Sequence, residues 1–419
     1  MASDTAPDAP PPRDDLPRDD PPRGGQPLDE HRPEEELFAR LVAGLEGEPS
    51  PENVARLAAR LPDDVSRQSF LRMVTEYEEL GEELDAPKPE PREPPPELHR
   101  GMRLEDRYRV DELLGEGGMG QVWRAQDEQL QRPVALKILT VSSAGTLDAD
   151  ELLRQEALLM ASLRHPNIVP VFAVLKTAGI TALVMELVDG QTLEHVVAEV
   201  SKRVETEGPE ARTPQTLLDA IAEPLPPGRR LLLHPDDDWY RAVTRIFHDL
   251  AHTVEQAHAA GVLHRDLKAP NVLLQGDASP VVLDFGLAAA RGSASDPIGE
   301  GLFGTAGYVA PEQVEAKRTG CDPRTDVYQL GLLYYELLTL QPAFTGTGIV
   351  EILGLVAAGD FTSLRERDPG IPETLAHACQ RAMARDPEAR FQSVAALREE
   401  LERLLGMDDR SWWQRLFGS

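Results

Sequence analysis

Residues 264–271 read His-Arg-Asp-Leu-Lys-Ala-Pro-Asn, and residues 284–286 read Asp-Phe-Gly. These two short runs carry three side chains whose oxygen atoms suit proton transfer and metal binding. The carboxylate of Asp266 can accept a proton from a hydroxyl group. Asn271 and Asp284 offer the hard oxygen ligands that magnesium prefers. The two runs therefore predict a polar site that contains a base and two metal ligands.

The sequence before this site predicts a long helix. Apolar residues recur at helical spacing from Trp239 to Ala260, and Gly261 is a typical stop signal. The polar run therefore begins on a loop, directly after a helix ends. Lys268 follows Asp266 on this loop and can offset negative charge on a group that is being transferred.

A glycine-rich turn lies much earlier in the chain. Residues 115–122 read Gly-Glu-Gly-Gly-Met-Gly-Gln-Val, between strands that are predicted at 108–114 and 121–125. Glycines let a backbone close over phosphates, but they also suit a plain hairpin or a dinucleotide-binding turn. A dinucleotide-binding turn joins a strand to a helix, whereas this one joins two strands. We therefore favour a cover for nucleotide phosphates.

A lysine interrupts the third predicted strand, at 134–139. The ammonium group of Lys137 lies among apolar neighbours and needs a partner if it is buried. Glu156, on a helix predicted at 148–163, could supply that partner, although both side chains could instead point to solvent. Further strands are predicted at 169–174 and 181–185. A small sheet with one helix, followed by a mostly helical remainder, indicates two unequal lobes.

Length and composition limit the class of protein. A chain of 419 residues is expected to contain at least two folding units. The formal net charge of -29 argues against a nucleic-acid partner, because such proteins concentrate Lys and Arg. The only cysteines, Cys321 and Cys379, are too isolated for a zinc site. With no apolar run long enough for a transmembrane segment and no signal peptide, we expect a cytoplasmic location.

The flanking segments differ from the globular part in composition. Residues 1–33 form an acidic, proline-rich arm that is expected to be disordered. Residues 34–85 carry apolar positions at helical spacing and are read as a small helical module with a possible partner, the alternative being an unstructured tail. Residues 86–102 are a proline-rich linker. In the tail, 406–419, Trp412 and Trp413 either pack back on the protein or make a weak membrane or docking contact.

Together the motifs resemble those of the eukaryotic-type (Hanks-type) serine/threonine protein kinases. Their sequences are most similar to the bacterial branch of that family. The resemblance covers about 103–405. Matching runs besides those quoted above are found at 165–168, 184–188, 304–312 and 325–328. The resemblance implies an α+β, bilobal protein kinase fold, with an N-lobe at 103–188 and a C-lobe at 189–405. It leaves an insertion at about 199–238, where the family commonly has a short connection. This insertion is equally expected to be functional or disordered.

The resemblance also implies an activity. A kinase of this type transfers the γ-phosphoryl group of ATP, with Mg²⁺ as cofactor, to Ser or Thr hydroxyls of protein substrates and often to itself. Two alternatives are a kinase-shaped scaffold without activity and a small-molecule kinase. The inactive scaffold is disfavoured because five polar side chains of the site are all retained: Lys137, Glu156, Asp266, Asn271 and Asp284. The small-molecule kinase is disfavoured by the peptide-binding segment at 304–312.

Site residues carried over from the resemblance fall into three groups. The catalytic group is Asp266, Lys268, Lys137 and Glu156, and the metal ligands are Asn271 and Asp284. The nucleotide-binding group is Leu114, Gly115, Glu116, Gly117, Gly118, Met119, Gly120, Val122, Ala135, Lys137, Glu186, Val188 and Leu273. In this group Leu114, Val122, Ala135 and Leu273 would enclose adenine, and the backbone of Glu186 and Val188 would bond to it.

Four structural relations are implied as well. Glu312 is expected to pair with Arg390, and Asp326 to brace the loop that carries Asp266. Arg265 is expected to bind a phosphate on the activation loop. The phosphorylated residue of that loop would be Ser293 or Ser295.

Overall fold

The computed structural model describes residues 98–117, 120–138, 160, 163, 165–177, 180–284, 306–314, 322–346 and 348–407. Several predictions therefore lie outside the described residues. They concern the arm at 1–33, the module at 34–85, most of the linker, most of the helix at 148–163 and the tail beyond 407. The individual site residues that lie outside are Gly118, Met119, Glu156, Ser293, Ser295, Trp412 and Trp413.

The first lobe is a six-stranded sheet with strand order β1-β2-β3-β4-β6-β5, in which all neighbouring strands are antiparallel. Its strands are β1 Arg103–Leu104, β2 Tyr108–Gly117, β3 Gly120–Asp127, β4 Arg132–Ile138, β5 Val171–Thr177 and β6 Ile180–Glu186. The strands predicted from the sequence are confirmed, and the glycine-rich turn joins β2 to β3 as expected. The structure extends most of them by a few residues, because sheet pairing continues into polar positions.

The period of two along β4 divides the apolar interior of the first lobe. Val134, Leu136 and Ile138 are buried in a core that belongs to this lobe alone. Ala135, on the opposite face, belongs to the larger core that continues into the second lobe. Because successive side chains of a strand alternate between faces, Lys137 is directed to the same side as Ala135. The strand thus places a lysine toward the boundary between the lobes.

The second lobe is helical apart from a small antiparallel sheet. That sheet has the order β7-β8-β9, formed by Gln191–Thr192, Val272–Leu274 and Pro280–Val282. The helices within the described residues are α1 Leu193–Glu207, α2 Pro214–Ile221, α3 Trp239–Ala259, α4 Pro311–Val314, α5 Pro323–Thr339, α6 Ile349–Ala358, α7 Leu364–Arg367, α8 Glu373–Ala382 and α9 Val394–Leu405. None of them is both long and apolar enough to span a membrane.

Helix α5 is the centre of the second lobe. Every residue from Thr325 to Thr339 is buried, which is typical of a helix that is surrounded by protein on all sides. The long helix α3 packs beside it, with the rings of Phe247 and Tyr334 stacked at 4.4 Å between centroids. The helix predicted from Trp239 to Ala260 is therefore confirmed, and it ends where the polar run begins.

The segment 199–238, which the sequence predicts to be an insertion, contributes several side chains to the main core. It contains the end of α1 and all of α2, which is capped by the Thr213 side chain. Leu217 and Ile221 are fully buried, and Leu233 on the following stretch is only 4% exposed. All three belong to the main core. Since Leu217 and Ile221 are one helical turn apart, α2 presents a single apolar face to the lobe.

Candidate active site

The two lobes meet through an ion pair. The Nζ of Lys137 lies 2.9 Å from Oδ1 of Asp284, and these side chains are 7% and 32% exposed. Strand β4 directs the lysine to this boundary, and the stretch after β9 carries the aspartate to the same place. A nearly buried ammonium group needs a carboxylate or an anion close by. Glu156, the carboxylate predicted for Lys137, lies outside the described residues.

The polar run at 264–271 folds so that its functional groups converge on Asp266. The Nζ of Lys268 lies 3.1 Å from Oδ2 of Asp266. The side-chain amide of Asn271 donates to the backbone oxygen of Asp266 at 2.9 Å. This bond fixes the amide orientation and leaves Oδ1 of Asn271 as its acceptor atom. The loop thus brings the Asp266 carboxylate, the Lys268 ammonium group and the Asn271 side-chain amide together.

Asp326 on α5 holds this loop through the backbone. Its carboxylate accepts hydrogen bonds from the backbone N–H of His264 at 2.8 Å and of Arg265 at 2.7 Å. Burial by itself would raise the pKa of Asp326, but the hydrogen bond from His258 and the surrounding charges lower it below its ordinary value. The predicted bracing of the loop by Asp326 is confirmed.

Two further residues of this brace were missed by sequence reasoning. The Nε2 of His258 on α3 lies 2.6 Å from Oδ2 of Asp326. The side chain of Gln329 accepts from the backbone N–H of Leu267 at 3.1 Å and donates to the backbone oxygen of Arg265 at 3.0 Å. Gln329 follows Asp326 by one helical turn, so a search for polar residues on that face of α5 would have found it.

The backbone at Arg265 explains why so many bonds are needed here. Its φ is +63°, in the left-handed region that residues with a Cβ rarely adopt. Such a conformation costs on the order of 1–3 kcal/mol and persists only where neighbours impose it. The bonds from Asp326 and Gln329 supply that constraint. The Nε of Arg265 is buried and has no hydrogen-bond partner within the described residues.

A β-hairpin connects the two candidate metal ligands. Asn271 immediately precedes β8, and Asp284 follows β9 after one intervening residue. The hairpin is closed at this end by a bond from the backbone N–H of Leu283 to the oxygen of Asn271, at 2.9 Å. The described residues contain no group of three or more His, Cys, Asp or Glu that could hold a metal by themselves. The two predicted metal ligands thus lie at the same end of the hairpin.

The glycine-rich turn is an antiparallel pair up to its tip, with a register shift between Leu113 and Gly115. Gly115 pairs with Val122, and Gly117 pairs with Gly120. A Cβ built on Gly115 meets no atom of the described residues within 4 Å, so packing against them does not explain the glycine. Gly120 has a φ of +142°, which side chains with a Cβ rarely adopt. Gly118 and Met119 at the tip lie outside the described residues.

The residues predicted to enclose adenine differ in burial. Ala135 is buried in the main core, with Val122 and Val188 packed against the same core. Leu273 is half-buried on β8, and Leu114 is 47% exposed. The backbone N–H of Glu186 already donates to the oxygen of Pro170 at 3.0 Å. Only its carbonyl oxygen could therefore take part in binding a base.

A second ion pair lies deep in the second lobe. Arg390 donates two hydrogen bonds to the carboxylate of Glu312, at 2.9 and 2.8 Å, and the arginine side chain is 0% exposed. Thr325 donates to the same carboxylate at 2.8 Å. Burial would raise the pKa of Glu312, but the bonds from Arg390 lower it below its ordinary value. The predicted pairing of these two residues is confirmed.

Known proteins resemble this chain over most of its globular part. A family model described as "Protein kinase domain" matches residues 108–401. The serine/threonine-protein kinase PknB of Mycobacterium tuberculosis is 33% identical over 307 residues, which are 72% of this chain and 43% of that protein. A probable serine/threonine-protein kinase of Streptomyces coelicolor is 32% identical over 314 residues, 74% of this chain and 41% of that protein. The chain thus spans less than half the length of these curated relatives.

A solved structure shares the arrangement of the lobes. The crystal structure of the Mycobacterium tuberculosis PknI kinase domain matches with a TM-score of 0.51 and 24% identity, covering 74% of this chain and 99% of that one. The α+β fold with a β-rich first lobe and a helical second lobe, which the motifs implied, is confirmed. Since the family model matches well over half of its residues, the chain belongs to the protein kinase family.

Proposed function

We propose that the protein is a serine/threonine protein kinase that transfers the γ-phosphoryl group of ATP, with Mg²⁺ as cofactor, to protein substrates in bacterial signalling. The observation that carries this proposal is the contact of 2.9 Å between Lys137 of the first lobe and Asp284 of the second. It brings a phosphate-binding cation and a metal-binding carboxylate together, next to the loop of Asp266. The names of the relatives support serine and threonine as acceptors.

The residues of the site fit a magnesium-bound nucleotide. Asn271 directs its amide hydrogens to Asp266, which leaves an oxygen for the metal, and Asp284 supplies a carboxylate. Magnesium usually takes one or two protein oxygens and completes its shell with phosphates and water. When bound, it neutralises charge on the phosphate oxygens. Lys137 would bind the phosphates, and the glycine-rich turn would cover them.

In this proposal Asp266 is the base of the transfer. Its carboxylate orients the acceptor hydroxyl and takes its proton as the oxygen bonds to the γ-phosphorus. The bond between that phosphorus and the bridging oxygen breaks, and ADP is the leaving group. Lys268, at 3.1 Å from Asp266, offsets charge on the phosphoryl group in transit. Adenine would bind between the lobes, among Leu114, Val122, Ala135 and Leu273.

A phosphate-transfer assay tests the function. With radiolabelled ATP and a generic basic acceptor protein, Asp266→Asn should lower labelling by about 10²–10⁴-fold, because an amide cannot take the hydroxyl proton. Asp236→Asn, on a side chain 90% exposed, is the matched control and should label like the wild type. Equal labelling by wild type and Asp266→Asn would remove the proposed base. Acceptor peptides that differ only in Ser, Thr or Tyr test the hydroxyl preference.

Self-activation is a second part of the proposal. Arg265 has a buried Nε without a partner in the described ranges, which supports a role in binding a phosphate. Ser293 and Ser295 of the activation loop are the proposed acceptors. Mass spectrometry after incubation with ATP should find phosphate on this loop. Full activity of a double Ser293→Ala, Ser295→Ala variant would refute activation through these serines.

The flanking segments and the location complete the proposal on sequence grounds. Residues 34–85 would recruit a partner, and Trp412 and Trp413 would make a weak docking or membrane contact. We place the protein in the cytoplasm, where ATP and magnesium are available. Deletion of residues 1–100 tests the module in the phosphate-transfer assay, and lipid sedimentation with and without residues 411–419 tests the tail. Cell fractionation tests the location.

A further inference from the structure

The turn of the β8–β9 hairpin is held by the segment that follows α2. We propose that residues 224–232 position the two metal ligands by clamping this turn, so that Pro224, Arg229 and Leu232 are positioning residues for metal binding. The inference rests on the proposed roles of Asn271 and Asp284. It concerns a stretch for which the family commonly has only a short connection.

The first contact is between two backbones. A Cβ built on Gly276, in the hairpin turn, would lie 2.1 Å from the backbone oxygen of Pro224 and 2.7 Å from that of Glu223. No real Cβ approaches a backbone oxygen so closely, so either the clamp or the turn would have to move. The φ of Gly276 is not among the positive values, so the turn itself does not require glycine there. The neighbouring segment alone imposes it.

Polar contacts extend the clamp on the other side of the turn. The backbone N–H of Leu232 donates to the oxygen of Asp277 at 2.9 Å. Nη1 of Arg229 lies 3.5 Å from both Oδ2 of Asp277 and Oγ of Ser279. The carboxylate of Asp277 is 3% exposed, and a charge that is so deeply buried needs compensation. Within the turn, the backbone N–H of Ser279 donates to Oδ1 of Asp277 at 2.9 Å, and Arg229 adds a positive charge beside Oδ2 from the clamp.

The clamp itself is anchored at both ends. Before it, Leu217 and Ile221 are fully buried in the main core, and after it Leu233 is 4% exposed. Residues 224–232 therefore connect two stretches of backbone whose side chains are fixed in the core. A segment held in this way can restrain the turn, whereas a free surface loop could not.

The hairpin carries this restraint to the metal ligands. Its register pairs Leu274 with Pro280 next to the turn and Val272 with Val282 at the far end. The ladder continues through the bond from Leu283 N–H to the oxygen of Asn271, beside Asp284. A displacement of the turn thus changes the separation or the tilt of the two ligands. Partners that orient metal ligands without touching the metal typically change its affinity by about 10–100-fold when they are removed.

The test measures how much Mg²⁺ strengthens ADP binding. Calorimetric titration with ADP in magnesium and in EDTA gives this gain for each variant of the full chain, without any phosphate transfer. Gly276→Ala should reduce the gain about tenfold and leave ADP affinity in EDTA near the wild-type value. Gly348→Ala is the matched control, because a Cβ there meets nothing within 4 Å in the part of the chain that the structure describes, and it should keep the full gain.

A second pair of variants makes the test independent of the glycine substitution. Arg229→Ala should also lower the gain, because it removes the contacts with Asp277 and Ser279. Arg230→Ala, on the adjacent arginine, which is exposed as Arg229 is, should not. If Gly276→Ala does not fold, the comparison of Arg229→Ala with Arg230→Ala tests the proposal by itself. Retention of the full gain in Gly276→Ala and Arg229→Ala would overturn the clamp, and so would an equal loss of affinity with and without magnesium. Absence of any gain in the wild type would instead refute the proposed metal ligands.

Discussion

The ion pairs Lys137–Asp284 and Arg390–Glu312 have similar lengths and different surroundings. Lys137 and Asp284 meet through one contact of 2.9 Å, and the aspartate side chain is 32% exposed. Arg390 and Glu312 meet through two contacts, with the arginine 0% exposed. Arg390 also donates to the backbone oxygens of three other residues, Ala384, Arg385 and Arg324. The first pair is open at its carboxylate, whereas the second is largely enclosed by its own lobe, with the Glu312 side chain 14% exposed.

The difference separates a pair that can exchange partners from one that cannot. An open pair at a lobe boundary can accept phosphates or a metal in place of its internal contact. An enclosed bidentate pair has no room for a ligand, and its removal leaves a buried charge without compensation. We therefore expect the first pair to matter for activity and the second for stability.

Loss of the enclosed pair should have the largest effect on stability. Arg390→Met should lower the free energy of unfolding by about 3–5 kcal/mol, because Glu312 would remain buried without its partner. Denaturant unfolding measures this change. Arg203→Met is the control, since the pair of Arg203 with Asp219 is exposed at 39% and 42% and should contribute nothing measurable. Equal stability of the two variants would contradict the distinction.

Loss of the open pair should affect activity instead. Lys137→Met should lower kcat/KM for ATP by about 10²–10³-fold, as expected when one charge that stabilises the transition state is removed. Its unfolding temperature should stay near that of the wild type, because water can solvate the exposed Asp284. Phosphate-transfer kinetics and thermal unfolding on the same preparation check both parts. A large loss of stability with normal kinetics would reverse the assignment.

The smallest expected effect is on the pH dependence of stability, to which the carboxylate of the enclosed pair, Glu312, should contribute. Because the pKa of Glu312 is lower in the folded protein than its ordinary value of 4.5, the unfolded state binds a proton first as the pH falls. The stabilisation from this carboxylate is complete above about pH 4.5 and is lost as the pH falls toward the folded pKa. The free energy of unfolding should thus fall less steeply below pH 4.5 in Glu312→Gln than in the wild type. Parallel curves would show that Glu312 does not titrate in this way.

Much of the fold was predictable because its signals are local. The strands around the glycine-rich turn follow from alternating apolar residues, and α3 follows from helical spacing and a stop glycine. The pairing of Glu312 with Arg390 and the brace from Asp326 followed from motif resemblance. His258 and Gln329 were missed, because their role depends on how α3 and α5 lie against the loop.

The segment 199–238 shows the limit of composition as a guide. Its prolines and aspartates indicate a loop, yet Leu217, Ile221 and Leu233 anchor it in the core. No local pattern indicates that Pro224 touches Gly276, because that contact depends on the path of two distant stretches of backbone.

By itself the amino-acid sequence determined which residue types are available: a carboxylate proposed as the base, two oxygen side chains proposed as metal ligands, a strand lysine and a glycine-rich turn. It did so because side-chain chemistry and short-range periodicity are properties of neighbouring residues. Only the tertiary structure decided that Lys137 meets Asp284, that the Asn271 amide points to Asp266 and that Pro224 and Leu232 contact the hairpin turn. These contacts join residues far apart in the chain, and their existence depends on how the two lobes and the core pack.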